Sequence, residues 1–229
     1  MDFAHFDTRR YRTVDVRSGY AEWVPTYEDT VQDAMDIALL DELRSVEWAG
    51  RAADLACGTG RTAAWLRAHG VSHIDGVDLT PEMLELARER GAHDTLCEAD
   101  VAASGLDGGA YDLVVASLVD EHLPALTPLY AEAHRLARPG GAFVLVGFHP
   151  HFIMSTGMPT HFTGASGEPL AIATHVHLIS DHVATAFETG WTLAELREGV
   201  IDDRWIAVKP KWEKYRHHPI SVAYAWRRP

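Results

Sequence analysis

The run Ala53-Asp54-Leu55-Ala56-Cys57-Gly58-Thr59-Gly60-Arg61-Thr62 restricts the fold more than any other stretch of the chain. It starts apolar, passes one carboxylate, turns on glycines and enters a helical pattern over residues 62–68. A strand, a glycine turn and a helix in immediate succession open the ligand-binding half of doubly wound α/β sheets. Gly58 and Gly60 permit backbone angles and a ligand approach that a Cβ would forbid. The helix start beyond them aims unpaired N–H groups back at the turn, where a polar ligand can be held.

Gly58, Gly60 and Ala63 also satisfy the loose dinucleotide pattern G-x-G-x-x-G/A, a weak signal alone. Asp54 weighs against it, because a carboxylate beside the turn repels a pyrophosphate and suits a ligand bearing an ammonium group. Further strands alternate with helices. Residues 73–78 end at Asp78, roughly 20 residues beyond the turn, where an acidic side chain accepts hydrogen bonds from a ribose diol. Pro81 opens the next helix, and with Thr80 as its cap Asp78 is left free for a ligand. Residues 95–101 end at Asp100 and Val101, and residues 111–117 run apolar to Ser117, as in the buried middle of a parallel sheet. A turn at Arg138-Pro139-Gly140-Gly141 precedes a strand over residues 142–148.

The stretch from Asp54 to Gly60, the acidic strand ends at Asp78 and Asp100, and the Pro139-Gly140-Gly141 turn together resemble class I S-adenosylmethionine-dependent methyltransferases over residues 50–150. The resemblance implies a doubly wound, mostly parallel α/β sheet of seven strands, Rossmann-like, with residues 192–199 and 221–226 as the sixth strand and the antiparallel last one. It also implies S-adenosyl-L-methionine as cofactor. Ala56, Cys57, Gly58 and Gly60 then form the turn around it, Asp54 suits its ammonium group, and Asp78 takes the ribose. Leu79 and Met83 flank the adenine, Asp100 and Val101 meet its amino group and ring nitrogen, and Ser117 stands at the next strand end. The aromatic segment 19–27 corresponds to a lid that brings Tyr20 or Tyr27 to the methionine end; aromatic anchoring of a terminal segment on the core is the competing reading.

Methyl transfer from a sulfonium needs chiefly a near-attack geometry, plus a base where the acceptor carries a proton. The candidates for that base are Glu121 and His122, after the strand at 111–117, and His149 and His151, after the strand at 142–148. Ser117-Leu118-Val119-Asp120 replaces the Asn/Asp-Pro-Pro-aromatic signature of enzymes that methylate amino groups of nucleic acids and proteins. With a net charge of −13, this points to a small-molecule acceptor and away from broad nucleic-acid contact. His149 and His151, like His175 and His177, are two apart and share one side if extended. Their spacing matches no familiar zinc pattern, so pocket lining is preferred to a metal site.

The 229 residues fit one domain: a helical lid at 1–50, a cofactor core at 51–148, a substrate-side insertion at 149–180 and closing strands at 181–229. Within it, residues 11–27 read as irregular, 28–43 as one helix, 152–165 as a long loop and 209–219 as a solvated connection. No apolar run reaches membrane-spanning length, and the first ten residues lack the apolar core of a signal peptide. Two cysteines are too few for a disulfide framework. The expectation is a cytoplasmic enzyme without membrane or nucleic-acid partners, its oligomeric state open. Two other classes compete: a nicotinamide-dependent oxidoreductase resting on Gly58, Gly60, Ala63 and Asp78, and a catalytically silent cofactor-binding protein of the same fold.

Overall fold

The computed structural model describes residues 1–31 and 35–229. Gly50–Leu55 (β2), Val71–Asp78 (β3), Thr95–Glu98 (β4), Tyr111–Ser117 (β5) and Ala137–Phe148 (β6) run parallel. With Thr192–Val200 (β9) and Pro219–Arg227 (β10) they make one seven-stranded sheet in the order β4-β3-β2-β5-β6-β10-β9. β10 is antiparallel to both of its neighbours. The sheet is doubly wound and Rossmann-like. Its order reverses between β2 and β5, and ligands sit beyond the strand ends at such a switch point.

Period-two alternation sorts the apolar side chains onto two faces. Val114, Ala116, Phe143, Leu145, Tyr224 and Trp226 pack with Thr127–Leu136 (α5) and Ile179–Glu188 (α7). Leu113, Val115, Val144, Val146, Ala223 and Ala225 pack with Met35–Glu42 (α2) and Arg61–Ala68 (α3). On β10 this places every aromatic on the α5 side and leaves alanines under α2, so α2 lies close to the strand. Covered on both faces, the central strands are apolar throughout, as the continuous run at 111–117 indicates.

A second, three-stranded sheet stands apart from the first: Arg12–Val14 (β1), Pro169–Ile172 (β8) and His161–Thr163 (β7), in that order. β1 lies parallel to β8, with Arg12 opposite Leu170. The segment 11–27 is therefore not irregular. Asp15 caps Val16–Thr30 (α1), its side chain accepting from Ser18 N at 3.0 Å, and the helix continues through Pro25. Trp23 then stacks on Phe162 of β7, with ring centroids 5.4 Å apart. The helix expected over 28–43 is two pieces, α1 ending at Thr30 and α2 starting at Met35; its middle, 32–34, lies outside the described residues.

The loop expected at 152–165 is mostly ordered secondary structure. Pro150 opens Pro150–Thr156 (α6), and Gly157, at φ 56°, ends it. Pro suits a first helical turn and a left-handed glycine suits the stop, so both signals were present in the sequence. Residues 203–215 likewise form Asp203–Val208 (α8) and a 3₁₀ turn, Pro210–Tyr215. Among the described residues no helix is long and apolar enough to cross a membrane.

Candidate active site

The carboxyl ends of β2, β3, β5 and β6 open on a cavity of about 700 Å³. The roof is α1 with β7, and the far wall is α6, α8 and the 3₁₀ turn. Wells of this size suit small ligands.

At the end of β2, Ala56, Cys57 and Gly58 line the cavity. Ala56 holds φ at 56° and Gly58 at 52°, and a Cβ built on Gly58 would meet nothing within 4 Å. The turn therefore presents bare backbone to the cavity. Cys57 is buried, which pushes its thiol well above the usual range and leaves it a protonated filler. Gly60 does not line the cavity. At φ 80° it precedes α3, and a Cβ there would lie 3.1 Å from His93 Cε1. It shapes the turn from behind.

Asp54 also departs from expectation. It is 1% exposed, its Oδ2 lies 3.1 Å from His93 Nε2, and it is absent from the cavity wall. As the next-to-last residue of β2 it projects from one face of the sheet to meet His93, so Asp54 braces the loop from outside the cavity and does not meet an ammonium group directly. Asp36, missed in the sequence, is the carboxylate that lines the cavity nearby. Arg61 holds both its oxygens at 2.8 Å, and Ser117 Oγ donates to it at 3.1 Å. Thus Ser117 lines the cavity as expected but works through Asp36.

Asp78 ends β3 in the cavity wall, yet it is not free. Its Oδ2 accepts from Gly58 N and its Oδ1 from Thr80 N, each at 2.8 Å, while the Thr80 side chain makes no capping bond. Each oxygen has a second acceptor site, so the carboxylate can still take two hydroxyls. Burial raises its pKa against the pull of these amides. Leu79 and Met83 line the same end. Asp100 and Val101 lie in the turn after β4, two and three residues past Glu98, and both reach the cavity.

Beyond β5 the chain passes Leu118, at φ 57°, into a short turn, Asp120–His122. Ala56 and Leu118 are each the first residue past a strand and each left-handed, a conformation costing about 1–3 kcal/mol for a side-chain-bearing residue. Glu121 and His122 are 4% and 6% exposed. Burial pushes the Glu121 carboxyl up to about 8, with Thr160 Oγ1 donating to it at 2.7 Å. Burial also lowers the His122 imidazole from its usual value, so the 3.6 Å approach of the two side chains joins neutral groups. His122 Nδ1 lies 2.8 Å from Ala173 O, which can only accept, so Nδ1 carries the hydrogen. Nε2 is then an acceptor, and the Tyr20 hydroxyl donates to it at 2.9 Å. Tyr20 and Tyr27 both line the cavity from α1.

His149 and His151 are not there. His149 accepts from His151 N at the start of α6 and sits 2.9 Å from Glu198 Oε1. His151 is exposed beside His218. Pro150 starts a helix between them, so the extended geometry assumed for the pair does not exist. His175 and His177 also stay out of the cavity wall, and among the described residues no three His, Cys, Asp or Glu side chains converge as a metal site would need. His161 is the histidine of the insertion that lines the cavity. The segment expected to be a solvated connection supplies Lys209, Lys211 and Trp212, joined by Trp205.

Residues 53–145 match the sequence profile of the family described as methyltransferase domain. The malonyl-[acyl-carrier protein] O-methyltransferase of Enterobacter lignolyticus is 30% identical over 128 residues, which cover 55% of this chain and 50% of that protein. The ribosomal protein L11 methyltransferase of Dechloromonas aromatica is 33% identical over 104 residues, 45% of this chain and 34% of that one. The chain thus spans half or less of the length of these curated relatives. A crystal structure of an S-adenosylmethionine-dependent methyltransferase from Mesorhizobium loti superposes with a TM-score of 0.66 at 25% identity, covering 85% of this chain and 98% of that one. The nicotinamide reading of the glycine turn is set aside with these matches, and the cofactor is S-adenosylmethionine. The strand-end acids, the bare turn at Gly58 and these likenesses agree: residues 53–145 form a methyltransferase domain of the class I S-adenosylmethionine-dependent kind.

Proposed function

We propose that this chain, acting as one domain, transfers a methyl group to a small-molecule acceptor, with His122 taking up the acceptor's proton through Tyr20. The observation that carries the reading is one half-open cavity, in which the turn at Gly58 with the strand-end acids and the Tyr20–His122 pair face one chamber under α1. When bound, S-adenosylmethionine supplies a methyl group already activated on sulfur. Asp78 then holds the ribose, Leu79, Met83 and Val101 enclose the adenine with Asp100 at its amino group, and Asp36 replaces Asp54 as the carboxylate for the ammonium. The chamber is roofed and drug-sized, which fits a small acceptor better than a folded macromolecule.

Tyr20 passes its proton to His122 Nε2 as its oxygen accepts one from the acceptor. The resulting imidazolium keeps its hydrogen bond to the Ala173 carbonyl. Glu121 is protonated at neutral pH and serves as a hydrogen-bonding wall, not as the base. Both cysteines are free, in keeping with residence in the reducing cytoplasm.

Two measurements test this. Calorimetry should show S-adenosylhomocysteine binding and NAD not binding. Labelled S-adenosylmethionine, incubated with the protein and a cell extract, should then pass label to molecules below ~1 kDa. Label confined to the protein or nucleic-acid fraction would sink the small-molecule reading, and binding without any transfer would favour a silent cofactor-binding protein.

A further inference from the structure

The charges on the cavity wall are divided by side. Among the described residues its carboxylates, Glu28, Asp36, Asp78 and Asp100, all come from the cofactor half of the chain, as does the protonated Glu121. The wall supplied by residues 148–220 contributes no carboxylate among the described residues and carries two ammonium groups, Lys209 and Lys211. On a chain of net charge −13, cations gathered at one end of one cavity are not a composition effect. Between the two sides the wall is aromatic and aliphatic. Phe152 stacks on Trp212, centroids 4.9 Å apart and planes 12° apart, and Leu118, Phe148 and Trp205 pack with them. This cluster connects the two functional ends through the chain itself: Leu118 is three residues before Glu121, and Trp212 directly follows Lys211. Lys209 Nζ lies over the rings of Trp205 at 6.0 Å and Trp212 at 5.6 Å, so cation and aromatic slab form one surface.

Resting on the methyltransferase reading above, we propose that the acceptor is an organic carboxylic acid with a planar or extended apolar body, its carboxylate received by Lys211 and Lys209 and its methylated atom directed to Tyr20 and His122. Phosphate is disfavoured. Lysine can bind phosphate, but tight phosphate sites add to it an arginine fork or a nest of backbone amides, and among the described residues the charges of this wall are Lys209 and Lys211 alone. Among the described residues the one arginine lining the cavity, Arg61, is already held by Asp36. The carboxylates on the opposite side suit the cationic end of the cofactor and repel an acid bound backwards, so the same charges that admit the acceptor also orient it.

The test compares 2-naphthoate with 2-naphthamide, and octanoate with octanamide, by calorimetry on protein saturated with S-adenosylhomocysteine. In at least one pair the acid should bind about tenfold more tightly than the amide, the range expected for a hydrogen-bonded ion pair at a half-open site. Lys211→Gln should reduce that preference about threefold, and Lys209→Gln with Lys211→Gln should remove it, S-adenosylhomocysteine affinity staying constant. Lys211 is exposed, so its replacement leaves the fold intact. No preference for the acid in either pair, or a preference that survives the double substitution, overturns the inference. Failure of S-adenosylhomocysteine to bind at all would instead remove the methyltransferase reading on which it rests.

Discussion

On the cofactor side, the lining residues come from strand ends met in chain order: Ala56 to Gly58 after β2, Asp78 at the end of β3, Asp100 and Val101 after β4. On the acceptor side, Phe148, Phe152, Trp205, Trp212 and Ile220 come from the end of one strand, two helices, a 3₁₀ turn and the start of another strand. The first side presents backbone and fixed carboxylates, and the second presents interchangeable apolar bulk. On the function proposed above, the cofactor meets backbone and strand-end acids that the fold itself positions, while the acceptor meets side chains that can be exchanged without altering the sheet.

The sharpest way to break this contrast is at Gly58. Gly58→Val puts branched carbons into the open cavity at a left-handed position, and S-adenosylhomocysteine affinity should fall about 100-fold or more in calorimetry. Gly60→Ala at the same time should leave the cavity clear, its added methyl facing His93. Equal losses for the two would mean that the turn acts only through strain.

His122 tests the boundary between the sides. His122→Gln should lower kcat about 10²–10⁴-fold, with cofactor affinity within a factor of two. The pH profile identifies the base. His122 titrates below its usual value, so kcat/KM should fall as pH drops beneath about 6.5 and stay level above it. If Glu121 were the base, the rate would climb as pH rises through about 8.

Glu121 offers a smaller effect, on stability. Its folded-state pKa of about 8 is above the ordinary 4.5, so the folded chain keeps a proton that the unfolded chain loses. Stability therefore falls as pH rises through that window and has no such loss below it. Glu121→Gln removes the dependence, and urea titrations should find the variant more stable by a few kcal/mol, on the order of the shift, at pH 8.5 and nearly equal to the parent at pH 4. Parallel pH curves for the two proteins would refute the burial argument.

The smallest effect is expected at His149. His149→Ala removes the cap of α6 and the contact with Glu198, so about 1 kcal/mol of stability should be lost while turnover changes less than about twofold. A loss of turnover comparable to that of His122→Gln would contradict the placement of His149 outside the cavity.

The same contrast explains what could be read before any coordinates. Gly58, Asp78, Asp100 and Val101 announce themselves because a turn and two strand ends are local patterns, complete within a few residues. The Asp36–Arg61 pair was invisible because it joins separate helices across 25 residues. Trp212 was hidden within a segment, 209–219, whose lysines and prolines read as solvent-facing, and Trp205 lies just before it. Residues 11–27 were misread because Pro25 masks a helix that Asp15 caps and Trp23 anchors on Phe162, a partner 139 positions away. His149 and His151 went astray on an assumption of extended chain that Pro150 should have stopped.

The pairing of β1 with β8 has one more consequence. α1, which carries Tyr20 and Tyr27, follows β1 after a single residue, and β8 belongs to the acceptor-side segment. Through β8, which also pairs with β7, both parts of the cavity roof, α1 and β7, are thus one hydrogen-bonded piece. Two ligands that each select a position of that piece are thermodynamically linked, and linkage is reciprocal: whatever factor the cofactor adds to the acceptor's affinity, the acceptor returns to the cofactor's.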